Sequence, residues 1–121
     1  MTAQAILLDP IEKQLELARI ASKTDLKKSF SLARLAKKKA ESAGYTKGIA
    51  DAYRIIGNNY SAQNKLPAAV DFYNKALELY QKEGDTKGIS MIYNNLGIAN
   101  FKMFKYTEAI NFYFKSLKLK E

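Results

Sequence analysis

The chain has neither cysteine nor histidine in 121 residues. Without cysteine there is no disulfide, no thiolate nucleophile and no sulfur ligand for a metal, and the compartment stays open between cytoplasm and periplasm. Without histidine the commonest general base and the commonest transition-metal ligand are both missing. Proline occurs only twice, while 47% of residues are apolar or aromatic, which excludes a disordered or low-complexity composition. Long apolar runs are absent too: Ala5-Ile6-Leu7-Leu8 is far too short to span a bilayer. The first nine residues lack a basic segment followed by a long apolar one, so no signal peptide is expected.

Acidic residues are the scarcer charge. Twelve Asp and Glu face 20 Lys and Arg, a formal net charge of +8. That excess permits anionic partners without requiring them. The basic runs Lys27-Lys28 and Lys37-Lys38-Lys39 suggest nucleic acid at first sight. Consecutive helical residues point in different directions, however, and the aromatics sit at core phase rather than beside the lysines, so a solvated face is the better reading.

Against these absences stands a repetition. Gly44-Tyr45-Thr46-Lys47-Gly48-Ile49-Ala50 returns 40 residues later as Gly84-Asp85-Thr86-Lys87-Gly88-Ile89-Ser90. At the same offset Tyr53 matches Tyr93, Gly57 matches Gly97, Lys65 matches Lys105 and Ala69 matches Ala109. A fixed period in this range marks a repeat array. Apolar residues recur at helical spacing throughout, and no strand-like alternation occurs. The pattern predicts an all-α chain of three antiparallel helical hairpins, six helices in all.

The first helix is expected to start at Asp9-Pro10, after a lead-in of Met1 to Leu8, with Asp as N-cap and Pro in the first turn. Thr24 or Asp25 caps the second helix, and Gly44 ends it. The second pair is expected over about Thr46–Gln63 and from Pro67 to Gly84, and the third over about Thr86–Met103 and from Tyr106 onward. Gly57 and Gly97 fall in mid-helix, where glycine costs roughly 0.5–1 kcal/mol relative to alanine. They predict close helix crossings, with Ala69 and Ala109 as the facing small residues.

No catalytic constellation is present, and neither cofactor nor metal is expected. The serines have no partner at motif spacing. Gly44/Gly48 and Gly84/Gly88 bracket helix starts and do not follow a strand, so they form no phosphate loop. Carboxylates are scattered among lysines as on a solvated helix face. The chain is expected to be non-enzymatic.

Tyr53-x-x-Ile56-Gly57-x-x-Tyr60, followed by Ala69, Tyr73 and Ala76, resembles the tetratricopeptide repeat. Tyr93-x-x-Leu96-Gly97, followed by Tyr106, Ala109, Tyr113 and Ser116, is similar to it again. The resemblance implies a right-handed superhelical stack of the three hairpins in one domain: repeat 1 over about 9–43 and degenerate, repeat 2 over about 44–83, repeat 3 over about 84–121. The family's usual period is about 34 residues, so a period of 40 implies longer helices. Forty-residue versions resemble the arrays of bacterial sensor histidine kinases and related regulators, and also the peptide-binding repeats of kinesin light chains.

The resemblance further implies that the first helix of each pair lines a concave wall that binds a protein or peptide ligand. Its inward positions carry over to Asp51, Arg54, Asn58 and Ser61 in repeat 2, and to Met91, Asn94, Asn95, Ile98, Phe101 and Lys102 in repeat 3. Repeat 1 contributes Gln14, Ala18 and Ala21. In peptide-binding members, asparagines at the positions of Asn58 and Asn95 hold a ligand's backbone, since a carboxamide both donates and accepts. Ile55 and Leu15 occupy the places equivalent to Asn95, so the asparagine ladder is incomplete. Only Arg54 and Lys102 are candidates for gripping a terminal carboxylate. The expected function is a peptide- or protein-binding module, regulatory or sensory, of a larger bacterial signalling protein.

Where repeat 2 has Gln63, Asn64 and Asn74, repeat 3 has Met103, Phe104 and Phe114. This apolar conversion predicts an interface, either with further repeats or with a second copy. The rival functions are therefore a self-association scaffold and, behind it, a nucleic-acid-binding helical repeat.

Overall fold

A computed structural model describes residues 3–120, with side chains from Leu8 onward. Six helices follow one another: α1 (Ala3–Ala21), α2 (Leu26–Ala43), α3 (Thr46–Ala62), α4 (Leu66–Glu83), α5 (Thr86–Lys102) and α6 (Tyr106–Lys120). They pair as the three hairpins that the period predicts. The start of α1 departs from expectation. Asp9 does not cap it, and Pro10 lies inside a helix that already runs from Ala3; Met1, Thr2 and Glu121 lie outside the described residues. Leu8, Ile11, Leu15 and Ala18 form one inward line across Pro10, so packing carries the helix through the missing N–H.

The other boundaries follow local chemistry. Asp25 accepts from the Lys28 amide at 3.0 Å and Asp85 from the Gly88 amide at 2.9 Å, each capping its helix. Gly44 and Gly84 take φ of 66° and 65°. There the Tyr45 and Asp85 amides reach back to the Ala40 and Tyr80 carbonyls, closing α2 and α4. The first helices of repeats 2 and 3 end on Asn64 (φ 60°) and Phe104 (φ 64°) instead. Asparagine tolerates that left-handed conformation; phenylalanine does so at a cost of about 1–2 kcal/mol. Phe104→Asn is expected to stabilise the chain by about 0.5–1 kcal/mol in urea unfolding.

Inside each hairpin a tyrosine ring lies on the mid-helix glycine. A Cβ on Gly57 would sit 2.7 Å from the Tyr73 ring, and one on Gly97 2.6 Å from the Tyr113 ring. The expected partners, Ala69 and Ala109, are fully buried nearby but do not make the closest approach; Ala69 contributes its carbonyl, 3.3 Å away. In the third hairpin Ser90 and Ser116 replace Ala50 and Ala76, and their hydroxyls stay satisfied. Ser116 donates to the Ser90 carbonyl at 2.9 Å, with the two hydroxyls 3.0 Å apart.

The joints between hairpins solve one problem twice. Gly48, at the first joint, is covered by Tyr45, whose hydroxyl donates to Glu12. Gly88, at the second, is covered by Tyr80, whose hydroxyl donates to Asp51. The first joint also buries a polar pair: the Asn59 amide donates to Ser29 at 3.1 Å, and Ser29 donates to the Ala18 carbonyl at 2.7 Å. The equivalent positions at the second joint are Ala69 and Ala99, both fully buried. Along the stack α1 touches α3 and α3 touches α5, whereas among the described residues α2, α4 and α6 do not touch one another. The odd-numbered helices therefore form the inner, concave wall and the even-numbered ones splay outside.

Candidate peptide-binding groove

Spacing places one line of side chains along α3. Lys47, Asp51, Arg54, Asn58 and Ser61 are separated by four, three, four and three residues, which keeps them on one helical face. That face looks across the groove toward α5. Two tyrosines of α4 push up from the core between these helices, with buried rings and hydroxyls at the groove floor. The Tyr73 hydroxyl donates to Asn58 Oδ1 at 2.6 Å, and Asn95 Nδ2 donates to the same oxygen at 2.6 Å. Lys102 Nζ reaches Ser61 Oγ at 3.5 Å.

Toward the N-terminal ends of the same two helices the wall becomes charged. Asp51 accepts from Tyr80 and holds Lys47 at 3.1 Å. Lys47, Asp51, Arg54, Tyr80, Asp85, Lys87 and Met91 line an open depression of about 220 Å³. Asp51 is engaged by two partners and Asp85 by its capping bond. Arg54 Nε is buried without a hydrogen-bond partner among the described residues. Three cations (Lys47, Arg54 and Lys87) outnumber two carboxylates (Asp51 and Asp85) around the depression, which is therefore net cationic.

The structure thus brings Arg54, Asn58, Ser61, Asn95 and Lys102 onto one surface. Met91 joins the depression, and Asn94 and Ile98 are exposed on α5 outside the amide cluster. Phe101, at the place Ser61 holds in repeat 2, is exposed and meets Tyr106 edge-on at 5.3 Å. Ala18 and Ala21 are core residues, not groove residues: their small side chains let α2 close on α1. Gln14 is half-buried, with Oε1 enclosed and without a hydrogen-bond partner among the described residues. Met103 caps α5, and Phe104 and Phe114 are exposed at the far end of the stack. Tyr73, Tyr80, Lys47 and Lys87 were not expected in the site. The tyrosines sit at core phase, which hides the second role of their hydroxyls.

Because Asn58 Oδ1 already accepts two bonds, its Nδ2 hydrogens and the Asn95 oxygen remain for a ligand. A donor and an acceptor side by side match the C=O and N–H of an extended chain.

Burial is the first cause pushing the phenols of Tyr45, Tyr73 and Tyr80 above their ordinary value. The carboxylates of Glu12 and Asp51 push Tyr45 and Tyr80 further. The folded state holds these protons more tightly than the unfolded chain, whose tyrosines ionise near pH 10. Their contribution to stability is therefore fully present below about pH 10 and is lost as pH rises beyond it. Denaturant unfolding followed at increasing alkaline pH is expected to show that decline, and Tyr80→Phe to flatten it.

Rigid stacked hairpins, a concave wall of odd-numbered helices and polar groups aligned along it define a helical-repeat recognition module. The chain belongs to the tetratricopeptide repeat family, whose sequence profile matches residues 48–121. Such repeats mediate protein–protein interaction. A search of curated proteins finds no match. The crystal structure of BtubC (BKLC) from P. vanneervenii shares the fold, with a TM-score of 0.71 at 20% sequence identity. The match covers 98% of this chain and 57% of that one, so this chain spans little more than half of that protein's length. No helix is long and apolar enough to cross a membrane, and no group of three potential metal-ligating side chains occurs among the described residues.

Proposed function

We propose that the chain is a non-enzymatic module that binds an extended peptide segment carrying an acidic side chain along the α3–α5 wall. The observation that carries this reading is the Asn95–Asn58 bridge between consecutive repeats. It leaves one carboxamide free to donate and the other free to accept. Arg54, Lys87 and Lys102 supply the attraction for the acidic group, and the stacked helices keep the wall rigid, so little conformational entropy is lost on binding. In a longer protein such a module serves as a regulatory or sensory region of bacterial signalling, the setting its 40-residue repeats resemble.

Asn95→Ile tests the reading with the residue that repeat 2 carries at the same place, Ile55. Peptides selected from a displayed library against the wild-type chain are expected to bind the variant about tenfold more weakly, a loss of one well-placed pair of hydrogen bonds. Helical content should not change. Binding to the wild type should weaken as salt rises. Unchanged affinity in Asn95→Ile and in Asn58→Ala/Asn95→Ala would remove the groove from the account.

A further inference from the structure

Stacking joins each first helix to the hairpin before it and leaves the space between successive second helices open on the convex side. Between α2 and α4 that space is a crevice floored by α3. Lys27, Phe30, Arg34 and Lys37 lie three or four residues apart on α2 and share the face that looks toward α4. Lys65, the N-cap of α4, and Phe72 and Lys75 form the other lip, with Tyr53 and Tyr60 on the floor. Tyr60 stacks on Phe72 at 5.4 Å and meets Phe30 edge-on at 6.1 Å. Arg34 lies over Phe30, Lys37 over Tyr53, and Lys75 over both Tyr53 and Phe72. Aromatic and basic residues, expected to lie apart, are interleaved here.

The 40-residue offset separates what stacking needs from what is added. Tyr53, Phe72 and Lys75 return as Tyr93, Phe112 and Lys115 between α4 and α6, with Lys115 again over both rings. That trio belongs to the repeat. Phe30, Arg34, Lys37 and Tyr60 become Val70, Asn74, Leu77 and Asn100. The second pair of hairpins stacks without those rings and cations, so stacking does not account for them.

At one end of the first crevice Lys27, Phe30, Tyr60, Gln63 and Lys65 line an open depression of about 500 Å³. From there Lys27 to Lys37 on one lip, and Lys65 to Lys75 on the other, each span about 15 Å at 1.5 Å per residue. The carboxylates on these helical phases, Glu41 and Glu83, lie at the far end, where Lys37 holds Glu41 at 3.4 Å. Five cations beside ring faces match a ligand that alternates anionic groups with flat apolar ones. We propose that the crevice binds single-stranded nucleic acid, with Lys27, Arg34, Lys37, Lys65 and Lys75 on phosphates and bases seated on Phe30 and Tyr60. A stacked strand advances about 3.4 Å per nucleotide, so the crevice takes about four. An exposed cation–π contact is weak beside a charge-assisted bond to phosphate, so the phosphate draws the cation aside and frees the ring face. A duplex hides its base faces, and an acidic peptide has none.

Fluorescence anisotropy of a dye-labelled oligothymidylate of about 15 nucleotides, titrated with the full chain at several salt concentrations, tests this site. The expected Kd is micromolar at low salt, with the matching duplex and an oligoglutamate of equal charge at least about tenfold weaker. Affinity should fall with salt at a log–log slope of about 0.7 per phosphate contact. Lys27→Gln/Lys65→Gln should weaken binding about tenfold and reduce that slope by about 1.4. Lys28→Gln/Lys39→Gln removes the same charge from the opposite edge of α2, beside α1, and should change neither. Phe30→Val, the residue α4 carries at the same place, should weaken binding about tenfold and leave the slope and helical content unchanged. Arg34→Asn, at an exposed position, gives a further variant and should reduce the slope by about 0.7. No binding at low salt, a duplex or oligoglutamate bound as tightly, equal losses in the two double variants, or indifference to both Phe30→Val and Arg34→Asn would each overturn the site. Asn58→Ala/Asn95→Ala leaves this binding intact and Lys27→Gln/Lys65→Gln leaves peptide binding intact, so the two readings fail separately.

Discussion

Tyr80→Ala is expected to lower the unfolding free energy by about 3–5 kcal/mol, the range for truncating a large buried aromatic. Tyr80 is 2% exposed and belongs to the cluster that joins the second and third hairpins. Its ring fills the space over Gly88, and its hydroxyl donates to Asp51. Truncation opens a cavity at the joint and leaves the Asp51 carboxylate with Lys47 alone. Tyr80→Phe keeps the ring and should lose only about 1 kcal/mol, the typical net worth of one hydrogen bond. Urea denaturation of both variants separates packing from the hydroxyl. Equal losses would contradict this division.

Gly88→Ala carries the second-largest expected effect, and its sign is diagnostic. In an ordinary helix the change gains about 1 kcal/mol of helix propensity. Here the new Cβ would lie 2.3–2.6 Å from Tyr80, including Cγ at the root of the ring. The ring root moves only if χ1 leaves its staggered well or α4 itself shifts. The overpacking cost of about 1–3 kcal/mol, occasionally more, should stand at its upper end, for a net loss of about 2 kcal/mol. In the Tyr80→Ala background the obstacle is gone, and the same substitution should become neutral or stabilising. That reversal is a coupling energy between two touching residues. A Gly88→Ala effect that is the same in both backgrounds would show that the ring does not seat on this glycine.

The fold was legible because its signals are periodic and chemically plain. Glycines end α2 and α4, aspartates cap α2 and α5, and the 40-residue offset repeats helix by helix. The beginning of α1 was misread because Asp-Pro is a local start signal, whereas burial of Leu8, Ile11 and Leu15 is a tertiary one, and the tertiary one prevailed. The glycine partners were misjudged for a related reason. A small residue facing a small residue is the simpler reading, yet a flat ring from Tyr73 or Tyr113 fills the same gap with more buried area.

The site was legible in half. Asn58, Asn95, Arg54, Ser61 and Lys102 stand out as polar residues on the inner phase of α3 and α5, and they do share one surface. Tyr73 and Tyr80 did not stand out, because helical phase assigns a whole residue to core or surface. Each of these is core by its ring and groove by its hydroxyl. One signal was present in the offset pairs. Ala40 with Tyr45 becomes Tyr80 with Asp85, so a tyrosine moves from the loop to the helix while a covered glycine remains beneath it. Glu12 and Asp51 supply the matching acceptors.

The central claim is that the Asn58–Asn95 pair reads the backbone of a bound peptide. The most direct measurement is an NMR titration of the side-chain amide resonances of the isotopically labelled chain with a library-selected peptide. The account predicts that the Asn58 and Asn95 carboxamide signals shift first and furthest, together with backbone amides along the inner faces of α3 and α5. Shifts confined to α6, or to the outer faces of α2 and α4, with both carboxamides undisturbed at saturation, would contradict it.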